Sequence, residues 1–290
     1  MPIFDEPGFM GGAEEGSIWD PPVSFSNVAV RNLQNEFASG LYYGTKVFFK
    51  PDGLMFYVLF TDTGGTALTN SLRAYTCPTP FNIAAATQTH LKSLSGLAVT
   101  NTHAMGLHFS TDGTKIYIAH FINKIIYCYS LSVAWNITST WTLLSQTVVL
   151  TTNPWGFHLS PDGSKLFVVY GQANIFEYDL STPWDLSTIV GGTYTNAVGL
   201  GGSQGCYDFT LSDDGKQGIW CVNRYDSIGG LYSFSLPTPW SLAGIVLNNV
   251  THVPSFVISN GIGLGFFMNA DGSRFYGLAG DSILRQYNKT

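Results

Sequence analysis

The sequence predicts an all-β protein, a five-bladed β-propeller of four-stranded antiparallel blades, closed by an N-terminal strand that completes the last blade. Three observations predict it. Asp-Gly turns that close an apolar strand occur at Asp52, Asp112, Asp162, Asp214 and Asp271, separated by 60, 50, 52 and 57 residues. A second turn bearing an aromatic residue follows the first four of them, at Phe81 (PTPF), Trp135 (SVAW), Trp184 (STPW) and Trp240 (PTPW). Between these landmarks lie short β-branched and aromatic runs with the alternation of strands and none of the 3.6-residue period of helices.

The unit is cleanest from Phe157 to Ile189, FHLSPDGSKLFVVYGQANIFEYDLSTPWDLSTI. FHLS is the inner strand, Asp162-Gly163 the tight turn, KLFVVY the second strand, NIFEYDLS the third, and Thr182-Pro183-Trp184 leads into the outer strand. In this copy the aromatic comes 22 residues after the turn Asp, so a fifth aromatic turn would fall after Thr290. The missing piece is expected at the other end. There Ser17-Ile18-Trp19-Asp20 precedes VSFSNVAV with the look of WDLSTIVG, and a strand at roughly 22–33 would close the ring and leave no blade with an unfinished edge. An open solenoid would need polar terminal repeats, whereas the last copy, FFMNADGSRFYGLAGDSILRQY, is as apolar as the rest.

Taken in order, residues 1–16 read as an extended acidic, Gly-rich arm with Phe4, Phe9 and Met10 as apolar anchors, and residues 17–290 as one propeller domain. The arm has neither the basic region nor the apolar core of a secretory signal, and no later stretch approaches the ~18 apolar residues of a membrane span. KVFFKPDG and LMFYVLF form the inner hairpin of the first blade, followed by a long loop at 61–71. LHFSTDGTKIYIAHF and KIIYCYS make the second blade; FTLSDDGKQGIWCV, a long loop at 223–230 and LYSFSL make the fourth. Net charge is −6 with only 13 Lys and Arg, which argues against nucleic acid as a partner.

In an up-and-down blade the first and third turns share one face of the ring, and the second turn and the link to the next blade share the other. The Asp-Gly and TPW turns are therefore the uniform, scaffold face. The unlike loops surround the opposite mouth of the channel, where loops on a rigid frame bind partners. Candidate contacts there are Tyr42, Tyr43, His103, Trp155, Tyr207, Arg224 and Tyr225.

Catalytic chemistry finds less support. Glycoside hydrolysis needs two carboxylates facing the channel, but of five Glu three lie in the arm (Glu6, Glu14, Glu15), Glu36 precedes the first blade and Glu177 is on a third strand. Asp208 alone stands near the start of an inner strand, with Lys46 at the matching place in the first blade, and reads as a hydrogen-bonded channel residue. His108 and His158 are equivalent, four before the turn Asp; Phe48, Thr210 and Phe267 fill that position elsewhere, so the histidines read as packed, hydrogen-bonded residues, with no metal and no cofactor expected. Cys206 and Cys221 flank the fourth Asp-Gly turn and are expected to face each other across the hairpin as free thiols, with Cys77 and Cys128 as small strand residues. Asn136, Asn249 and Asn288 begin Asn-x-Thr triplets that discriminate nothing.

LSPDGSKLFVVYGQANIFEYDLSTPWDLSTI resembles the PDG-containing propeller repeats with a trailing YDLSTPWDLST that occur in bacteriophage and environmental virus proteins of tails, fibres and virion surfaces. More loosely it is similar to YncE-like and lactonase-like propellers. The resemblance runs from about Lys46 to the end and implies a fold and a virion setting, with no catalytic residues to carry over. The expectation is a non-enzymatic virion component made in the host cytoplasm, whose arm docks on other virion proteins and whose propeller binds protein or host glycan, with homo-oligomers open. The alternative is a lectin or a carbohydrate-active five-bladed enzyme.

Overall fold

Strands between the Asp-Gly turns can bury both faces only if blades stack face to face around a ring, and they do. The computed structural model describes residues 25–33, 42–62, 70–98, 103–148, 150–170, 174–196, 206–222, 230–252, 265–278 and 282–289. The outer strand of the last blade is β1 (Phe25–Asn32). The first blade holds β2 (Tyr42–Phe49), β3 (Met55–Asp62), β4 (Ser71–Thr76) and β5 (Thr87–Ser93). Next come β6 (Ala104–Phe109), β7 (Lys115–His120), β8 (Ile125–Leu131) and β9 (Trp141–Gln146). The third blade is β10 (Pro154–Leu159), β11 (Lys165–Tyr170), β12 (Asn174–Leu180) and β13 (Ile189–Asn196). The fourth is β14 (Cys206–Leu211), β15 (Gln217–Val222), β16 (Gly230–Ser235) and β17 (Val246–His252). β18 (Gly265–Met268), β19 (Arg274–Leu278) and β20 (Ile283–Lys289) complete the chain.

Each blade is a four-stranded antiparallel sheet, and in the fifth the order is β1-β20-β19-β18. Closure is as the sequence predicts: β1 pairs with β20 from Phe25 opposite Lys289 to Asn32 opposite Ile283. The strand occupies Phe25–Asn32 within the expected 22–33.

The core lies between blades. Tyr57, Leu59 and Leu72 of the first blade pack against Leu107, Phe109 and Ile118 of the second. Tyr117 and Ala119 pack in turn against Phe157 and Leu159, and Tyr276 and Leu278 close onto Val47 and Phe49. Because second strands are covered on both faces, they read as unbroken apolar runs such as KLFVVY, of which Leu166 through Tyr170 is buried. Outer strands are paired on one edge only and are not fully covered on their faces, and β5 and β9 are largely exposed.

The two repeating turns are one device. Gly53, Gly113, Gly163 and Gly215 have φ between 67° and 72°, which glycine adopts without steric cost, and the ring of Phe81, Trp135, Trp184 or Trp240 lies directly over each. A Cβ on Gly163 would come within 2.3 Å of the Trp184 ring. The four aromatics themselves hold positive φ (58–66°), a conformation fixed by the N–H of each donating to the glycine carbonyl at 2.8–2.9 Å. The same turn also ties blades together: the Tyr57 hydroxyl donates to Trp135 O (2.7 Å) and Tyr117 to Trp184 O (3.0 Å). Glu177 accepts from Leu242 N–H (2.7 Å), and Gln286, its equivalent on β20, from Ile83 N–H (3.1 Å). Within the turn, Ser160 and Ser212 donate to Asp162 and Asp214 at 2.6 Å, and these bonds, with backbone N–H groups, hold both carboxyls below their usual range against the opposing pull of burial.

Candidate functional site

Inner strands run from the loop face to the turn face along the axis, and four of them carry a β-bulge at the same place: Gly44/Lys46, Ala104/Gly106, Pro154/Gly156 and Cys206/Asp208. A bulge re-aims the residue that follows it. In two blades that residue is charged. Lys46 donates to the Asp208 carboxylate and to Phe266 O (3.1 Å), while Asp208 also accepts from Phe266 N–H (3.0 Å) and Phe209 N–H (3.0 Å). The pair reaches across the first β-strand of the fifth blade, where Gly265 leaves room: a Cβ there would sit 2.4 Å from Lys46 Cα. Burial pushes the Asp208 carboxyl above its usual range, and Lys46 and the two N–H groups pull it back. The sequence reading of Asp208 as a hydrogen-bonded channel residue holds, and its partner is the Lys at the equivalent position.

One layer toward the turn face, Phe48, His108, His158, Thr210 and Phe267 are each half-buried between buried neighbours, the mark of side chains that face the channel. His108 and His158 pack edge to face, ring centroids 5.2 Å apart; His108 also meets Phe48, and His158 stacks on Trp240. The expectation of hydrogen-bonded rings needs correction at His108, whose Nδ1 is buried with no hydrogen-bond partner. The rings of Phe48 and Phe157 lie against it and offer none. Burial holds His108 down to about 3, helped by the Lys46 charge, and holds His158 well below the ordinary imidazole value, so both are neutral at neutral pH. Among the described residues no group of three or more His, Cys, Asp or Glu is placed to hold a metal.

At the loop-face mouth the structure brings two of the predicted contacts together. His103 is half-buried at φ 88°, held there by its N–H donating to Thr61 Oγ1 (2.6 Å) and its carbonyl accepting from Phe121 N–H (2.9 Å). Its ring lies 6.1 Å from that of Phe121, and the Trp155 ring meets Phe121 edge-on at 4.6 Å and 66°. Asn153 Nδ2 donates to Phe121 O (3.0 Å) and fixes the turn. His103, Phe121 and Trp155 thus form a half-buried row of three rings where the second blade meets the third. Phe121 escaped the sequence reading; its only signal was an aromatic in a four-residue turn, FINK, where the third blade has GQA, the fifth AGDS and the others longer loops.

Tyr42 and Tyr43 open β2, and Tyr207 follows the first residue of β14, so the backbone brings all three to the loop-face ends of inner strands. Arg224 and Tyr225, and the arm residues Phe4, Phe9 and Met10, lie outside the described residues.

No family model matches the chain. No curated protein matches it. Among solved structures, hydrazine synthase of Kuenenia stuttgartiensis is similar at 14% identity with a TM-score of 0.45, over 81% of this chain and 55% of that one. That likeness bears on no activity.

The cysteine expectation changes as well. The bulge before Asp208 shifts the register, so Cys206 lies opposite Val222 and Cys221 opposite Asp208, and the two are not cross-strand partners. Cys77 and Cys128 are buried free thiols, pushed up to about 11 by burial. No helix among the described residues is long and apolar enough to cross a membrane.

Proposed function

We propose that the protein is a bacteriophage virion component, of tail, fibre or capsid surface, whose propeller recognises a host-surface glycan on its loop face and whose residues 1–16 dock on a neighbouring virion protein. The observation that carries the recognition half is the row His103–Phe121–Trp155. Half-buried rings at the mouth of a rigid scaffold suit the C–H faces of sugar rings, and the positive φ of His103 is a strained conformation of the kind that clusters at binding sites. A binding role is further supported by the engagement of Asp208: it is the one acid on the inner strands, and Lys46 occupies it. The virion half rests on the resemblance of the PDG and YDLSTPWDLST repeat to virion propellers.

Glycan-array binding of the full chain tests the recognition half. Phe121→Ala and Trp155→Ala are expected to abolish a signal that the parent gives, with the thermal transition retained. Turnover of a bound glycan by the parent would replace this reading with a carbohydrate-active enzyme. Mass spectrometry of purified particles tests the virion half, and a protein that stays soluble and apart from particles would overturn it.

A further inference from the structure

Formal charge is distributed unevenly around the ring. Residues 63–161, from the end of the first blade's second strand to the third Asp-Gly turn, carry four Lys and Arg and a single acid, Asp112. The remaining positions hold eighteen acids against nine Lys and Arg. The acidic protein therefore has one basic sector, and His103, Phe121 and Trp155 all fall within it.

Inside that sector one cation belongs to the aromatic row. Lys124 closes the four-residue turn that Phe121 opens; its N–H donates to Phe121 O (3.3 Å), its carbonyl accepts from Leu150 N–H (2.8 Å), and its φ is 57°. The backbone of the lysine is thus pinned beside the rings. Lys46, Lys50 and Lys165 each form an ion pair, but no described carboxylate pairs with Lys124. The next residue before it, Asn123, is exposed on the same turn.

We infer that the glycan read at this row is acidic, its carboxylate or sulfate group neutralised by Lys124 while sugar faces rest on Phe121 and Trp155. The inference rests on the glycan-binding reading and adds the ligand's charge to it. A neutral sugar would gain from the rings alone. An acidic one gains the rings, an unpaired ammonium and the field of the whole sector, which raises its local concentration at the mouth.

The test is binding of the full chain to heparin oligosaccharides and oligogalacturonates, with neutral dextran and maltose oligomers for comparison. Acidic oligomers are expected to bind, with affinity that falls as salt rises. Lys124→Met should weaken them by about tenfold, the effect of losing one partly desolvated charge contact, and Trp155→Ala should weaken them at least as much. Lys92→Met, on the outer strand of the first blade, should weaken them far less, because it removes a share of the field and no contact. Thermal midpoints check that the variants fold. Binding of neutral oligomers that Lys124→Met leaves unchanged would overturn this inference and leave the glycan reading standing. Absence of binding to both classes would overturn the glycan reading itself. Equal weakening by Lys124→Met and Lys92→Met would also count against the assignment, because a diffuse field and not this site would then hold the ligand.

Discussion

At the turn face, Gly113, Gly163 and Gly215 each lie beneath a tryptophan whose N–H bonds to the glycine carbonyl, and the fourth copy differs only in using Phe81 over Gly53. On the axis the same inner strands present Lys46, Gly106, Gly156, Asp208 and Gly265, no charged residue occurring twice. The difference follows from who touches whom. A turn contact involves a blade and at most its neighbour, so one solution serves every copy. At the axis all blades converge, and five copies of a lysine or an aspartate would place like charges together in a poorly solvated space. Repetition is stable on the rim of the ring and must be broken at its centre.

The largest expected effect comes from breaking the axial pair. Asp208→Ala leaves Lys46 buried without its partner and is expected to cost about 3–5 kcal/mol, read by chemical denaturation. The double variant Lys46→Met with Asp208→Leu should recover most of that loss. If it does not, the bonds to Phe266 matter more than the ion pair. On the turn face, Gly163→Ala forces a Cβ into the Trp184 ring as well as straining φ, and about 3 kcal/mol is expected. Gly191→Ala isolates the second contribution, since Gly191 has φ 73° and nothing within 4 Å of a Cβ; about 1 kcal/mol is expected there. Equal costs at the two positions would mean that the aromatic ring is not a lock.

Acid should separate the two regions by a smaller amount. His108 and His158 remain neutral in the folded ring while an unfolded imidazole titrates near 6.5, so below that pH the unfolded chain takes up protons that the folded chain refuses. Stability is therefore intact above about pH 6.5 and falls as pH drops toward 3 for His108. At pH 5 the loss is at most about 2 kcal/mol per ring, and less where channel water screens the charge. His108→Phe, the residue that two other blades use, should flatten the slope of thermal midpoint against pH between 7 and 5. An unchanged slope would show that the histidines are not its source.

The fold was legible because its landmarks are local. An Asp-Gly turn, the aromatic 22 residues later in the third copy and β-branched runs between them all lie within one blade, and Ser17 to Leu33 resembled the outer strand the last blade lacked. The candidate site was legible only in part. His103 and Trp155 stood out as aromatics in unlike links, but Phe121, which joins them, sits in a second turn of a different blade segment and has no repeat to depart from. The tyrosine bonds from Tyr57 and Tyr117 to the next blade's turn were missed for a related reason: they connect residues 78 and 67 apart, and sequence shows a Tyr five after the turn Asp without showing its acceptor. The Cys206–Cys221 expectation failed on a single bulged residue, which no spacing argument contains.

The β1–β20 pairing sets an order of events during synthesis. β1 leaves the ribosome before any other strand of the ring, yet its partner is made about 250 residues later. Until then the chain holds a strand with no sheet and a sheet series with no seal, both open to pairing with other chains. Blades one to four can form as they emerge, each from contiguous sequence. The ring can close only once β20 has been made, so a chain that stalls before Ile283 yields four sound blades and two exposed edges, a form for proteases and chaperones to remove.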